Sequence, residues 1–242
     1  MQIIPAIDVR GGKTVRLLHG DYSKQTNYDV EPVQLARQYA SLDLDKLHVV
    51  DLDGALDGVP RNADALKLVI EATNAEVQIG GGLRELSHVE ALFDAGVARV
   101  VIGSLAVTQP SLVTSWFEKF GADRIVLAID VRVSNDGVAN VATHGWTETH
   151  AMTLQRLIER FLPVGLTHVL CTDISRDGAL TGPSIELYEA LVQDYPTLAV
   201  QASGGVSNLD DLVALRATGV SGAITGRALL EGRITDQEIR SF

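Results

Sequence analysis

Cysteine and long apolar runs are both scarce in this chain of 242 residues. The one cysteine, Cys171, excludes an internal disulfide and lies in the apolar run HVLCTD, where we expect a buried, unreactive thiol. No apolar run approaches the roughly 18 residues of a membrane span, and the opening MQIIPAID lacks the basic and apolar segments of a secretory signal. These absences predict a soluble, cytoplasmic protein with no membrane partner.

Positive charge is scarce as well, since 20 Lys and Arg stand against 31 Asp and Glu and the formal net charge is −11. A nucleic-acid surface needs a clustered positive footprint, so we expect no nucleic-acid partner and infer that any anionic ligand is held by a local site. The six histidines show no tight metal-ligand spacing. We therefore expect no metal site.

The sequence is rich in alternating apolar runs and amphipathic segments. Apolar runs typical of fully covered strands begin near Gln2, Lys46, Glu76, Arg99, Ile125, His168, Leu198 and Gly222. The intervening segments have helical spacing, and several end at glycines that suit a helix stop, such as Gly96, Gly165 and Gly219. Eight such units predict an α/β fold, a (β/α)₈ TIM barrel formed by residues 1–242 as one domain. His48 and His168 are expected to open strands at the end away from the barrel mouth.

The second half of the chain repeats the first. DGAL occurs at 53–56 and again at 177–180, and PAID ending at Asp8 matches LAID ending at Asp130. The same residue types recur 123 positions apart at Gln78 and Gln201, Gly81 and Gly204, Gly82 and Gly205, Leu86 and Leu209, Gly96 and Gly219, and Gly103 and Gly226. Such constant shifts predict two duplicated half-barrels, about 1–123 and 124–242.

Two pairs of glycine-rich loops follow the predicted strands three and four and strands seven and eight. Strand-end loops of a barrel gather on one face, where glycines let backbone N–H groups approach a phosphate. A single loop of this kind is also typical of a tight connection, but its duplication favours phosphate binding. We predict two phosphate sites and a small-molecule substrate phosphorylated at both ends, bound by Gly81, Gly82, Gly103 and Ser104 and by Gly204, Gly205, Gly226 and Arg227.

Carboxylates are predicted at the same face. Asp8 and Asp130 each end a strand at equivalent positions. One such Asp is typical of helix capping, but two that face a bisphosphate site suit a general acid and a general base. Asp177, in the loop SRDGAL, and Thr172, at the end of strand six, are further candidates. Asp51 and Asp53 occupy the equivalent region of the first half.

Cations and one aromatic residue complete the predicted mouth. Arg16 and Arg84 are candidate substrate-binding residues among several mouth-loop cations, which also include Arg10, Lys13, Arg132 and Arg176. Trp146, in the loop THGWTE, either packs in the ordinary way or stacks on a planar heterocycle of the substrate.

Eight segments together resemble the ProFAR isomerases of histidine biosynthesis, the phosphoribosylformimino-aminoimidazole carboxamide ribonucleotide isomerases, over almost the whole chain. They are IPAIDVRGGKTVRL, VVDLDGA, QIGGGLR, RVVIGS, LAIDVR, CTDISRDGALTGP, SGGVS and GRALLEG. The resemblance implies a duplicated (β/α)₈ barrel that converts an aminoaldose to an aminoketose by an Amadori rearrangement without metal or cofactor. It implies that Asp8 is the base and allows either Asp130 or Asp177 to be the acid. We expect the chain to act as a monomer.

Three alternatives stay open. The cyclase subunit of imidazole glycerol phosphate synthase shares the duplication, both phosphate sites and the paired aspartates, although the PAIDVRGGKTVRL opening and the GW loop resemble the isomerase more. A bifunctional relative also isomerises phosphoribosylanthranilate. A barrel that binds the phosphorylated ligand without turnover is the third alternative, because a fold alone does not establish activity.

Overall fold

The computed structural model describes residues 1–134, 137–143 and 148–242, with the backbone only for 148–151. The strands in these ranges are β1 (Gln2–Arg10), β2 (Lys13–Leu18), β3 (Asp21–Asn27), β4 (Lys46–Asp51), β5 (Glu76–Gly80), β6 (Arg99–Ile102), β7 (Ile125–Val133), β8 (Ala139–Thr143), β9 (Glu148–Thr153), β10 (His168–Asp173), β11 (Ala199–Ser203) and β12 (Gly222–Thr225). The helices are α1 (Pro32–Ala40), α2 (Leu52–Asp57), α3 (Ala63–Glu71), α4 (Leu86–Asp94), α5 (Ser104–Thr108), α6 (Pro110–Phe120), α7 (Leu154–Phe161), α8 (Ile185–Asp194), α9 (Leu209–Thr218), α10 (Arg227–Leu230) and α11 (Asp236–Ser241).

Eight parallel strands close into a barrel. Going round it, β1 is followed by β4, β5, β6, β7, β10, β11 and β12, and β12 pairs with β1. The predicted TIM barrel is therefore confirmed. The strand starts read from the apolar runs agree with the structure, except that β11 begins at Ala199 rather than at Leu198.

Successive side chains of each barrel strand point alternately outward and inward, which divides the core into two layers. The outer layer lies between barrel and helices, where Trp116 of α6 and Phe161 of α7 are fully buried. The inner layer fills the lumen with small and branched side chains: Ile4, Ala6, Val101, Val126, Leu170 and Ile224. Residues near the carboxyl ends of the strands that share this inward direction therefore point to the barrel mouth.

Two equivalent glutamines of the repeat meet inside the lumen. Gln78 Nε2 donates to Gln201 Oε1 at 2.7 Å, and Gln201 Nε2 donates to Gln78 Oε1 at 3.0 Å. Both side chains are buried. Because each half contributes the same residue to this reciprocal pair, the symmetry axis of the duplication passes between the two amides.

His48 also lies in the lumen, 3.0 Å from Gln78 Nε2 through Nδ1. It is the third residue of β4, so the prediction that it opens the strand is wrong, whereas His168 is indeed the first residue of β10. Burial lowers the pKa of His48 to about 3, so its imidazole is neutral at ordinary pH.

Hairpins continue both first strands of the two halves. β2 and β3 form an antiparallel ribbon on β1, and β8 and β9 form another on β7. Gly11 and Gly12 have φ of 55° and 73° and make the two-residue loop between Arg10 and Lys13. Residues 10–16, whose cations Arg10, Lys13 and Arg16 are predicted to lie in a mouth loop, are therefore largely part of a β-ribbon. In the described ranges, no helix combines the length and apolar composition needed to cross a bilayer.

Candidate active site

Asp8 lies where β1 leaves the barrel and enters the hairpin, in register with Val50 of β4 and Val15 of β2. Arg16 Nη1 donates to Asp8 Oδ2 at 2.9 Å, and each side chain is only 13% exposed. Burial raises the pKa of Asp8, and the charge and hydrogen bond of Arg16 oppose that rise. A poorly hydrated carboxylate that a neighbouring cation helps to keep ionised is suited to accept a proton.

Arg16 connects Asp8 with the second pair of glycine loops. Its Nη2 donates to the Ala6 carbonyl, and its guanidinium lies so close to Gly226 that a Cβ there would be 2.0 Å from Nη2. Arg16 Nε is buried and has no hydrogen-bond partner among the described residues. A buried, unpaired guanidinium donor beside a glycine loop is favourable for an anion.

Asp130 and Thr172 are neighbours on adjacent strands. They are register partners in β7 and β10, and Thr172 is also in register with Ser203 of β11. Thr172 and Ser203 are buried, and alternation turns all three side chains toward the lumen. The expectation that Asp8 and Asp130 close their strands needs one correction, because β1 runs on to Arg10 and β7 to Val133.

Asp177 lies in the segment between β10 and α8, which crosses the mouth and contacts the first hairpin. The His19 N–H donates to the Asp177 carbonyl at 3.0 Å, and Arg227 Nη1 donates to the Gly178 carbonyl at 2.7 Å. Burial raises the pKa of Asp177 to about 7, and the negative charge of Asp8 contributes to the rise. A carboxyl group that titrates near neutrality can donate a proton at ordinary pH.

One pocket is lined by Arg16 and Asp177 together with the second pair of glycine loops, whereas Asp8, Asp130 and Thr172 are not among its lining residues. It encloses about 420 Å³, part of it open to solvent. Its lining includes Arg16, Asp177, Ser203, Gly204, Gly205, Gly226 and Arg227. The structure thus gathers the predicted loops after β11 and β12 around one space with a cation and a titratable acid. Arg227 also pairs with Glu231 at 2.6 Å, so its guanidinium is shared between this ion pair and the Gly178 carbonyl.

The first-half loops have the same backbone shape. Gly81 and Gly204 have φ of 109° and 100°, and a Cβ would lie 2.1 Å from the Asp51 carbonyl oxygen at Gly81 and 2.8 Å from the Asp173 one at Gly204. Only glycine fits at this turn in either half. Gly82 follows Gly81, and Gly103 and Ser104 follow the adjacent β6, with Ser104 exposed at the start of α5.

Arg84, a further predicted residue, is not among those that line the pocket. Arg84 is exposed on the first-half side, and its guanidinium covers Gly58, where a Cβ would lie 2.3 Å from Arg84 Cζ. Trp146 is outside the described residues.

Asp51 and Asp173 end β4 and β10 as buried carboxylates with structural partners. Asp51 accepts from the N–H of Gly54 at 2.8 Å and of Arg61 at 2.7 Å, and from Asn62 Nδ2 at 2.6 Å. Asp173 accepts the Ser175 N–H at 3.0 Å and the Ser175 hydroxyl at 2.7 Å. These hydrogen bonds stabilise the loops that follow β4 and β10. Asp51 therefore anchors a loop and is not among the residues that line the pocket.

Sequence reasoning missed the partners that hold the site together. Arg16 was read as one mouth cation among several, whereas the structure pairs it with Asp8 and stacks it on Gly226. The alternation in KTVRLL, with buried Val15 and Leu17, could have placed Arg16 on a strand with its side chain on the opposite face.

These features define a class: a closed (β/α)₈ barrel of two duplicated halves whose chemistry sits at the carboxyl ends of the strands. Residues 2–235 match the family described as "Histidine biosynthesis protein". The chain belongs to this family. It is accordingly an enzyme of histidine biosynthesis, and it binds a phosphorylated intermediate of that pathway.

Proposed function

We propose that the protein is the isomerase that converts the aminoaldose ProFAR to the aminoketose PRFAR. The observation that carries the proposal is a pair of differently tuned carboxyl groups near Arg16: Asp8, which accepts a hydrogen bond from Arg16, and Asp177, which lines the pocket with Arg16 and has a pKa of about 7. An Amadori rearrangement needs one acid and one base within reach of the same sugar.

Asp177 acts first, as the acid. Its carboxyl proton passes to the ribose ring oxygen, the C1–O bond breaks, and the nitrogen lone pair on C1 forms a C=N⁺ Schiff base. The raised pKa of Asp177 supports this assignment, because a donor must stay protonated near neutral pH. Asp130 then contributes negative charge that helps to keep Asp177 protonated.

Asp8 acts second, as the base. It removes the C2 proton, the released electron pair forms a C1=C2 double bond, and the C=N⁺ electrons return to nitrogen to give an enolamine. Asp8 then returns its proton to C1, and the ionised Asp177 accepts the C2 hydroxyl proton, which gives the ketose and restores both carboxyl groups. Arg16 supports the ionised form of Asp8 in which the carboxylate accepts the proton.

The glycine loops would bind the two substrate phosphates. Gly204, Gly205 and Gly226 with Arg227 would hold one, next to Arg16, and Gly81, Gly82, Gly103 and Ser104 the other. Arg84 and Thr172 would contact the body of the substrate, and Trp146 would stack on a heterocycle.

The test is turnover of ProFAR by the purified protein alone, without ammonia or a glutaminase, with the product identified by chromatography against the authentic aminoketose. Formation of the aminoketose supports the isomerase. Binding without turnover contradicts the isomerase. Authentic PRFAR and ammonia are then added: consumption of PRFAR favours the cyclase, and no consumption favours the non-catalytic binder.

Asp8→Asn is the matched active-site control. It should abolish turnover while ProFAR still binds, since the amide keeps the shape of the side chain but cannot accept the C2 proton. Turnover close to that of the parent protein would contradict the role of Asp8 as the base.

A further inference from the structure

Tyr188, on α8, reaches the ends of two barrel strands with its hydroxyl. Tyr188 Oη donates to the Ser203 carbonyl at 2.7 Å, and the Ser203 N–H donates to Oη at 3.2 Å. The Cys171 carbonyl of β10 lies 3.2 Å from the same oxygen. The ring is fully buried. One phenol therefore holds both backbone groups of the last residue of β11.

Ser203 is the residue from which the second glycine loop departs. Gly204 and Gly205 follow it with φ of 100° and 90°, and all three line the pocket beside Arg16. The directions of the loop N–H groups depend on the anchor that precedes them, because the glycines themselves tolerate many conformations. A fixed anchor lowers the cost of ordering the loop around an anion.

We propose that Tyr188 is a positioning residue that sets the second glycine loop for phosphate binding. The proposal rests on the phosphate site in the proposed function. Tyr188 touches no substrate, since it contacts the strands from the helix side of the barrel wall, and it acts through Ser203.

In the first half, which the structure describes throughout, the residue equivalent to Tyr188 cannot form these hydrogen bonds. Leu66 stands 122 positions before Tyr188, on the equivalent helix α3, and it is buried but has no hydroxyl. The loop with Gly81 and Gly82 is thus an internal reference in the same molecule. Tyr39 supplies a matched control, because its hydroxyl is buried and has no hydrogen-bond partner among the described residues.

The experiment is a titration of the whole protein with inorganic phosphate, followed by NMR through the amide signals of the two glycine loops. Tyr188→Phe should weaken phosphate binding at Gly204 and Gly205 by roughly threefold to tenfold, because the hydrogen bonds that fix Ser203 are lost while the phosphate's own contacts remain. Binding at Gly81 and Gly82 should not change. Tyr39→Phe should leave both loops as they are.

Kinetics give a second readout. Tyr188→Phe should raise KM for ProFAR and change kcat little, because a loop that holds a remote phosphate contributes uniform binding. Unchanged phosphate affinity at Gly204 and Gly205, or equal weakening at both loops, would overturn the proposal. If phosphate binding responds as expected but ProFAR is not turned over, the isomerase fails and the positioning role stands.

Discussion

The tetrapeptide DGAL occurs in both halves of the barrel, yet its two aspartates lie in different surroundings. Asp53 is the second residue of α2 and accepts the Gly11 N–H at 2.6 Å and Asn62 Nδ2 at 2.9 Å. Asp177 lies in a run of turns beside the pocket, with its pKa raised to about 7. The first copy holds the tip of the β1–β2 hairpin, and the second faces the candidate chemistry.

Loop length explains the difference. Each strand ends in a buried Asp, Asp51 or Asp173, but Asp53 follows its strand end after one residue, whereas Asp177 follows after three. The short connection leaves Asp53 in the first turn of a helix, while the two extra residues carry Asp177 over the mouth. Identical residues after equivalent strands therefore have different roles, because the length of the connection from the strand end to the aspartate decides where its side chain lies.

The largest difference between the two halves is expected when the aspartate of each DGAL copy is replaced by asparagine. Asp177→Asn should lower kcat by about 10³-fold, since the amide cannot supply the proton for ring opening. Asp53→Asn should leave kcat close to that of the parent and lower the melting temperature, because it weakens the contacts to Gly11 and Asn62. Steady-state kinetics with ProFAR and thermal unfolding measure both. Full activity of Asp177→Asn would move the acid role to Asp130.

The strand-end aspartates should instead behave alike. Asp51→Ala and Asp173→Ala should each cost about 3 kcal/mol of unfolding free energy, because each leaves buried donors without their charged acceptor. Urea unfolding measures the loss, and exposed Asp94→Ala is the control. A large loss at one position only would mean that the two halves have diverged in their anchors as well as in their loops.

Titration of Asp177 should make both activity and stability fall as pH rises, over different pH ranges. Turnover should fall about tenfold per unit above pH 7, as the acid loses its proton. The folded-state pKa lies above the unfolded value of 3.8, so the stability due to Asp177 is complete below that value and is lost as pH rises to about 7. Asp177→Asn should melt higher than the parent at pH 8 and equally at pH 3.5.

Asp53→Asn is the control for that pH series, because Asp53 stabilises the hairpin turn through the Gly11 N–H and has no proposed role in proton transfer. It should melt below the parent at pH 8. If Asp177→Asn melted below the parent at pH 8 as well, Asp177 would be a stabilising carboxylate and not a poised acid.

The sequence predicts the barrel well because buried parallel strands leave continuous apolar runs, as in IVLAID and HVLCTD. It also locates the loops of Gly81 and Gly204, since the repeat marks them twice. The hairpins were missed, although Gly11 and Gly12 between alternating residues are a readable two-residue turn. The hairpin matters because it brings Arg16 to Asp8.

Other features of the site were out of reach of any pattern. The raised pKa of Asp177 depends on burial and on the charges of Asp8 and Asp130. These three residues lie in β1, in β7 and in the segment after β10. The anchoring of Ser203 by Tyr188 joins a helix to a strand end 15 residues away. Both are products of tertiary packing, which periodicity does not encode.

The smallest effect concerns the contact between the equivalent glutamines of the two halves. Gln78→Leu alone leaves the Gln201 amide without a partner in the lumen, and Gln201→Leu does the same to Gln78. The double variant removes both amides, so neither is left unpaired although His48 still loses its contact to Gln78, and it should cost less than the two single changes together, by about 1 kcal/mol. A double-mutant cycle in urea measures the coupling. Because His48 also contacts Gln78, Gln78→Leu should cost more than Gln201→Leu, and an additive cycle would mean that each amide is satisfied within its own half.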